Sequence, residues 1–142
     1  MPLLRTYAIT AIILTFKMFA NSIVQGRARV TTRTFVNPED AALFGGNLQP
    51  QESPTVQRAS AAWRNDLENI PLFLILAWIY VAAIGLSAGA FEVYCVVFVI
   101  ARIFHSIFYL NSIQPWRTVS FTVGAIAMFA LIIHLLIGVV FA

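Results

Sequence analysis

The sequence is poor in the residues that build soluble chemistry. Its single cysteine, Cys95, lies in an apolar run, so no intramolecular disulfide can form within the chain, and the residue reads as a small buried hydrophobe. His105 and His134 are far apart and have no ligand-spaced companions, so no metal centre is expected. Charge is scarce. Only 11% of residues are Asp, Glu, Lys or Arg, less than half the share of about 25% in a soluble domain. There is no Lys/Arg run and no interleaving of basic and aromatic residues, so the net charge of +3 is no nucleic-acid footprint. At 142 residues and 60% hydrophobic, one domain could not hide this much apolar surface from water. These limits leave an all-α integral membrane protein.

The apolar residues fall into four long runs, read as four transmembrane helices in one domain, 1–142. The first is placed at about 6–28. Lys17 interrupts it and the apolar pattern continues beyond, which favours a retained helix over a cleaved signal peptide. A lysine at mid-helix needs a carboxylate or carbonyl partner, or must snorkel to the interface, a structural role. Arg27, Arg29 and Arg33 follow in a short amphipathic stretch. Asn37-Pro38-Glu39-Asp40 then starts a short helix: Asn37 can cap it, Pro38 suits the first turn, and both acids face the positive dipole end. Phe44-Gly45-Gly46-Asn47 closes it. The second membrane helix is expected at about 55–86, with Pro71 inside it and a tight turn at Gly85 and Ser87-Ala88-Gly89. The third spans about 90–111 and the fourth about 116–141.

The basic residues Arg27, Arg29, Arg33, Arg58 and Arg117 cluster at the first and third connections, and the second has none. By the positive-inside rule those two connections are cytoplasmic and both termini lie opposite. A multi-pass protein of a bacterial inner membrane or an endoplasmic reticulum fits this pattern.

Three groups of polar residues stand at that cytoplasmic end. Arg64-Asn65-Asp66-Leu67-Glu68-Asn69 opens the second apolar helix. Arg64 and Glu68 are four apart and share a helix face, and Asn65 lies three before Glu68. The group reads either as an anchoring ion pair or as a site for a small zwitterionic ligand. Arg102, His105 and Tyr109 are spaced i, i+3, i+7 along one face of the third helix, a stripe that must point into the bundle or a subunit interface. On its own, His105 reads as a satisfied core histidine. Arg117 and Thr118 open the fourth helix, with Phe121 one turn on. An arginine at a helix N-terminus adds its charge to unpaired N–H groups and a positive dipole end, a field suited to a thiolate or carboxylate.

These blocks, in this order, resemble the family of membrane-associated proteins in eicosanoid and glutathione metabolism. Asn37-Pro38-Glu39-Asp40, Arg64-Asn65-Asp66-Leu67-Glu68-Asn69-Ile70, Ala101 to Leu110 and Arg117-Thr118-Val119-Ser120-Phe121 carry the likeness. It spans almost the whole chain, though the run after about Gly124 adds little. The resemblance implies a homotrimer of four-helix protomers, with glutathione as co-substrate between neighbouring subunits and reached from the cytoplasm. It implies that Arg29, Arg64, Asn65, Glu68, His105 and Tyr109 bind the tripeptide. Glu68 would meet its ammonium and the arginines its carboxylates. Arg117 would stabilise the thiolate, Phe121 would stack beside the tripeptide, and Arg102 would belong to an interface network near the site.

The chemistry of the residues suits this. Glutathione carries two carboxylates, an ammonium and a thiol, and calls for several cations, one anion and a field that favours thiolate. The expected activity is detoxifying glutathione transfer to lipophilic electrophiles from the bilayer, with peroxidase activity on lipid hydroperoxides as an extension. Two further readings are prostaglandin E synthase-like isomerisation and non-catalytic lipid binding. A transporter or proton relay built on Lys17, Glu92, Arg102 and His105 ranks last, because Glu92 should lie at the opposite membrane face. The chain departs from the prostaglandin-synthesising members of the family. They carry a serine at Thr118, a tyrosine at Phe121, an arginine at Ala61 and a histidine at Trp63, and the loop before Arg117 is one residue shorter here. These departures weigh against prostaglandin synthesis more than against glutathione binding. Asp40 matches an acid proposed to matter in those members, and its role here stays open.

Overall fold

A computed structural model describes residues 2–84 and 87–141, and these are helical almost throughout. Helix α1 covers Pro2–Thr32 and α2 covers Pro38–Phe44. Helix α3 covers Pro54–Ile79 and passes into a π-helical turn at Tyr80–Ile84. Helices α4, Ala88–Leu110, and α5, Trp116–Phe141, complete the chain.

Several boundaries differ from the sequence reading. The first helix begins four residues earlier than expected and runs on to Thr32, so Arg27 and Arg29 stand on α1 rather than in a separate stretch. No residue between Val24 and Thr32 breaks a helix except Gly26, and a single internal glycine costs only about 1 kcal/mol. The expected second helix ends regular α geometry at Ile79. Its residues Tyr80–Ile84 form the wider turn; of the expected turn, Gly85 lies outside the described residues, while Ser87 caps α4 and Ala88 and Gly89 already belong to that helix.

The caps follow from local chemistry. Ser53 starts α3 by accepting a hydrogen bond from Val56 N at 3.4 Å, with Pro54 in the first turn, where its missing N–H is not needed. Ser87 caps α4 through Ala90 N at 3.3 Å. Asn37 precedes α2 but its side chain makes no cap bond; its amide donates to Asp40 at 3.1 Å instead. Gly45 closes α2 at φ 65°, where a Cβ is strained. Two short strands, β1 (Thr34–Phe35) and β2 (Asn47–Leu48), pair in parallel across α2. Phe35 and Phe44 stack at 5.7 Å, so this connection folds as a small unit over the ends of α1 and α3.

The core lies where α1, α3, α4 and α5 meet. Phe73 and Phe98 stack at 3.8 Å between ring centres, with Leu14, Ile70, Ala77, Cys95 and Leu131 around them. At the far end, the Tyr80 hydroxyl accepts from Ser87 N at 3.0 Å and donates to Ser87 O at 3.1 Å, stitching the π turn to α4. Tyr80 stacks on Phe91, and His134 sits beside it and meets the Tyr94 hydroxyl at 3.3 Å. The outer surface is apolar: Phe16 is 72% exposed and Phe129 64%. Such side chains ring the bundle and suit lipid rather than water. Among the described residues α1, α4 and α5 are long and apolar enough to cross a bilayer. Helix α3 has the length, but Arg58, Arg64, Asp66 and Glu68 stand along it before its apolar run.

Candidate functional site

The polar side chains of the bundle collect in one seam. Asp66 is completely buried and forms an ion pair with Lys17 of α1, the carboxylate partner that a mid-helix lysine requires. Asn21, one turn on from Lys17, donates to the other Asp66 oxygen at 2.6 Å and to Ser106 Oγ at 3.3 Å. Three helices are thus joined by four side chains whose polar groups would be costly in lipid if left alone.

Arg102 lies next in the seam and is 0% exposed. Its Nη1 donates to Asn65 Oδ1 at 2.9 Å and its Nη2 to Asn69 Oδ1 at 3.3 Å. Asn69 in turn donates to the Asn65 carbonyl at 2.7 Å, which fixes the amide that receives the guanidinium. The Arg102 cation also lies over the Phe98 and Phe121 rings, 5.2 and 5.3 Å from their centres. Gly124 gives it room, since a Cβ there would stand 3.2 Å from both Nε and Nη2. Arg102 Nε is buried and has no hydrogen-bond partner.

His105 connects the seam to α5. Its Nδ1 lies 3.1 Å from the Arg117 carbonyl oxygen. A carbonyl only accepts, so Nδ1 carries a proton, and Nε2 is buried without a partner. Ser120 shares its one hydroxyl proton between the same carbonyl, at 3.0 Å, and the Trp116 carbonyl, at 2.8 Å. These bonds hold the first turn of α5 against α4. The Arg117 guanidinium lies 4.9 Å above the centre of the Tyr109 ring. Gln114, with its amide oxygen turned toward Arg117, accepts from Nε at 3.0 Å and from Nη2 at 2.6 Å, and its nitrogen then donates to Thr118 Oγ1 at 3.1 Å. The Tyr109 and Phe121 rings lie 5.7 and 5.8 Å from the His105 ring.

Of the residues singled out from sequence, Asn65, Arg102, His105, Tyr109, Arg117 and Phe121 come together here, with Thr118 exposed at the edge. Arg64, Glu68 and Arg29 do not join them. Arg64 and Glu68 share an exposed face of α3, yet they form no ion pair with each other, so the anchoring pair, one of the two readings of this block, is absent among the described residues. Helix α3 turns Asn65, Asp66 and Asn69 inward, and the intervening charges then face out. Arg29 Nε donates to Glu52 Oε1 at 2.8 Å at the rim of a cleft of about 270 Å³ lined by Ser22, Gln25, Gly26 and Trp63. Sequence reasoning passed over Asn69, Gln114, Gly124 and the Asp66–Asn21–Ser106 bonds. The signal for Asn69 was its place four residues after Asn65, on the same face.

The fold and this seam define an integral membrane protein with a cationic and aromatic site at one end of an apolar helical bundle. The chain belongs to the MAPEG family, which matches residues 7–137. It is 30% identical to human prostaglandin E synthase over 136 residues, 95% of this chain and 89% of the relative. It is 31% identical to the horse prostaglandin E synthase over 122 residues, 85% of this chain and 79% of the relative. It is 38% identical to mouse microsomal glutathione S-transferase 1 over 118 residues, 80% of this chain and 75% of the relative.

Proposed function

We propose that the chain is a membrane-bound glutathione transferase. The glutathione thiolate attacks a lipophilic electrophile that arrives from the bilayer, a carbon–sulfur bond forms, and the leaving group departs with its electron pair. The observation that carries this reading is the fixed position of Arg117. Its carbonyl is held by His105 and Ser120, its guanidinium rests on Tyr109, and it stands in the first turn of α5. A cation immobilised there adds to the helix dipole at no cost of reorganisation, which is what a thiolate needs. Names of the curated relatives support the reading: one group transfers glutathione, and the other makes prostaglandin E.

In this proposal the active unit is a homotrimer of four-helix protomers, with both termini opposite a cytoplasm-facing site. The exposed Arg64 and Glu68 are then spent across a subunit boundary, Glu68 on the ammonium of glutathione and Arg64 on a carboxylate. Arg29 takes the second carboxylate from the rim of its cleft. Asn65, His105 and Tyr109 line the tripeptide, Phe121 stacks beside it, and Thr118 offers a hydroxyl near the thiol. Arg102 is too deeply buried to touch the tripeptide and serves from behind. An apolar groove of about 380 Å³ between α4 and α5, lined by Phe104, Phe108, Trp116 and Val123 among others, offers lipophilic co-substrates a wall with little selectivity. With a lipid hydroperoxide, two glutathione molecules are oxidised to the disulfide while the peroxide is reduced to alcohol and water.

The test is ultraviolet difference absorbance of the thiolate on the detergent-solubilised protein during a glutathione titration. A saturable signal that is lost in Arg117→Ala supports thiol activation. Absence of both thiolate and tripeptide binding overturns the proposal in favour of lipid binding. The prostaglandin relatives give a second reading, isomerisation of a prostaglandin endoperoxide. Turnover of that substrate without conjugation of chlorodinitrobenzene would select it.

A further inference from the structure

A buried arginine in a membrane bundle is expected to meet a carboxylate, because an unpaired charge there is costly. Arg102 meets none among the described residues. The two oxygens that accept from it belong to Asn65 and Asn69, neutral amides in positions where aspartate would have the same shape. The Phe98 and Phe121 faces are neutral too. Hydrogen bonding of the two Nη atoms is met while the charge is left in place.

The charges around Arg102 do not cancel it. From α3 the nearest acid is Asp66, and that carboxylate is already engaged by Lys17 of α1 and by Asn21. From α5 comes Arg117, a second cation, and on α4 itself His105 brings no negative charge and turns its Nδ1 proton to the Arg117 carbonyl. Lys17 and Asp66 cancel, and the positive charge of Arg102 is left uncompensated behind that of Arg117. An ordinary structural arginine would not be built this way.

We infer that Arg102 is a positioning residue that acts through its charge: held by amides that do not neutralise it, it sets the field in which Arg117 receives the glutathione thiolate. The inference rests on the transferase reading and deepens it. Tyr109, beneath the Arg117 guanidinium, lies two helical turns from Arg102, so the added charge stands roughly 10 Å from the thiol. At that range, with an effective dielectric constant of about 20, it lowers the thiol pKa by roughly one unit.

The experiment is a pH titration of the thiolate absorbance of bound glutathione in the full-length protein, with glutathione binding measured alongside by equilibrium dialysis. Arg102→Lys keeps the charge, and Arg102→Gln keeps a donor for Asn65 and removes the charge. Asn69→Asp leaves the arginine in place and neutralises it, and so serves should Arg102→Gln fail to fold. The expected result is a midpoint near that of the wild type in Arg102→Lys, and midpoints raised by roughly one unit in Arg102→Gln and Asn69→Asp. A merely structural role would disturb the lysine and glutamine variants alike. Equal shifts in those two, or no shift in Arg102→Gln or Asn69→Asp while glutathione still binds, overturn the inference and leave the transferase reading standing. A wild-type protein without a thiolate signal overturns the transferase reading itself.

Discussion

Asp66→Asn removes one negative charge from the seam while keeping the shape of the side chain. In the wild-type protein the Asp66 carboxylate is completely buried, its Lys17 partner has a side chain only 9% exposed, and Asn21 donates to the second oxygen at 2.6 Å. After the substitution the Lys17 ammonium remains in the bundle without a counter-charge, one layer from the un-neutralised Arg102. Removing one partner of a buried ion pair costs about 3–5 kcal/mol. An amide oxygen still reaches the ammonium, which places the expected loss near the lower end, about 3 kcal/mol. In the double variant Lys17→Met/Asp66→Asn neither charge is left to solvate, and stability returns to within about 1 kcal/mol of the wild type. The assay is reversible unfolding in mixed micelles, titrated with sodium dodecyl sulfate and followed by helical circular dichroism. A coupling of at least about 2 kcal/mol between the two substitutions is expected. If the double variant instead loses as much as the two single variants together, Lys17 and Asp66 do not act as a pair, and the seam is not what joins α1 to α3.

Three further outcomes follow from contacts near the site. Gly124→Ala places a Cβ 3.2 Å from Arg102 Nε and Nη2, so the held guanidinium must give way; the same unfolding assay should register a loss of about 1–3 kcal/mol. The Arg29–Glu52 pair has side chains 37% and 24% exposed, so Glu52→Gln should change stability by less than about 1 kcal/mol. Arg29→Ala should likewise leave the fold intact but raise the glutathione KM about tenfold with a smaller change in kcat, as loss of a charged hydrogen bond to a substrate carboxylate requires. An unchanged KM would place Arg29 in the fold of the connection alone.

Much of the frame is visible in the sequence because lipid imposes few options. Four apolar runs had to be helices, and Arg102, His105 and Tyr109 at i, i+3, i+7 had to share a face, which is where their contacts with Asn65, Arg117 and Phe121 place them. Lys17 in an apolar helix demanded a partner, though nothing local to residue 17 could say that the partner stands at residue 66. The missing ion pair between Arg64 and Glu68 has the same origin. Spacing says which residues share a face but not which way that face turns, and on α3 the inward face was taken by Asn65, Asp66 and Asn69. The end of α1 was misplaced because arginines after an apolar run mark a membrane boundary, and a helix can run past that boundary without breaking.

The residue type at two positions carries more than its spacing. In the block Arg64-Asn65-Asp66-Leu67-Glu68-Asn69, three acids or amides point inward, and only the one facing Lys17 is an acid. The two facing Arg102 are amides. Had stability alone shaped the seam, an acid opposite Arg102 would have neutralised it as Asp66 neutralises Lys17. Pairing Lys17 while leaving Arg102 un-neutralised puts the residual charge on the side of α5, where Arg117 opens the helix. The distribution is therefore directional, and it accords with the proposal that an anion is bound beyond Arg117.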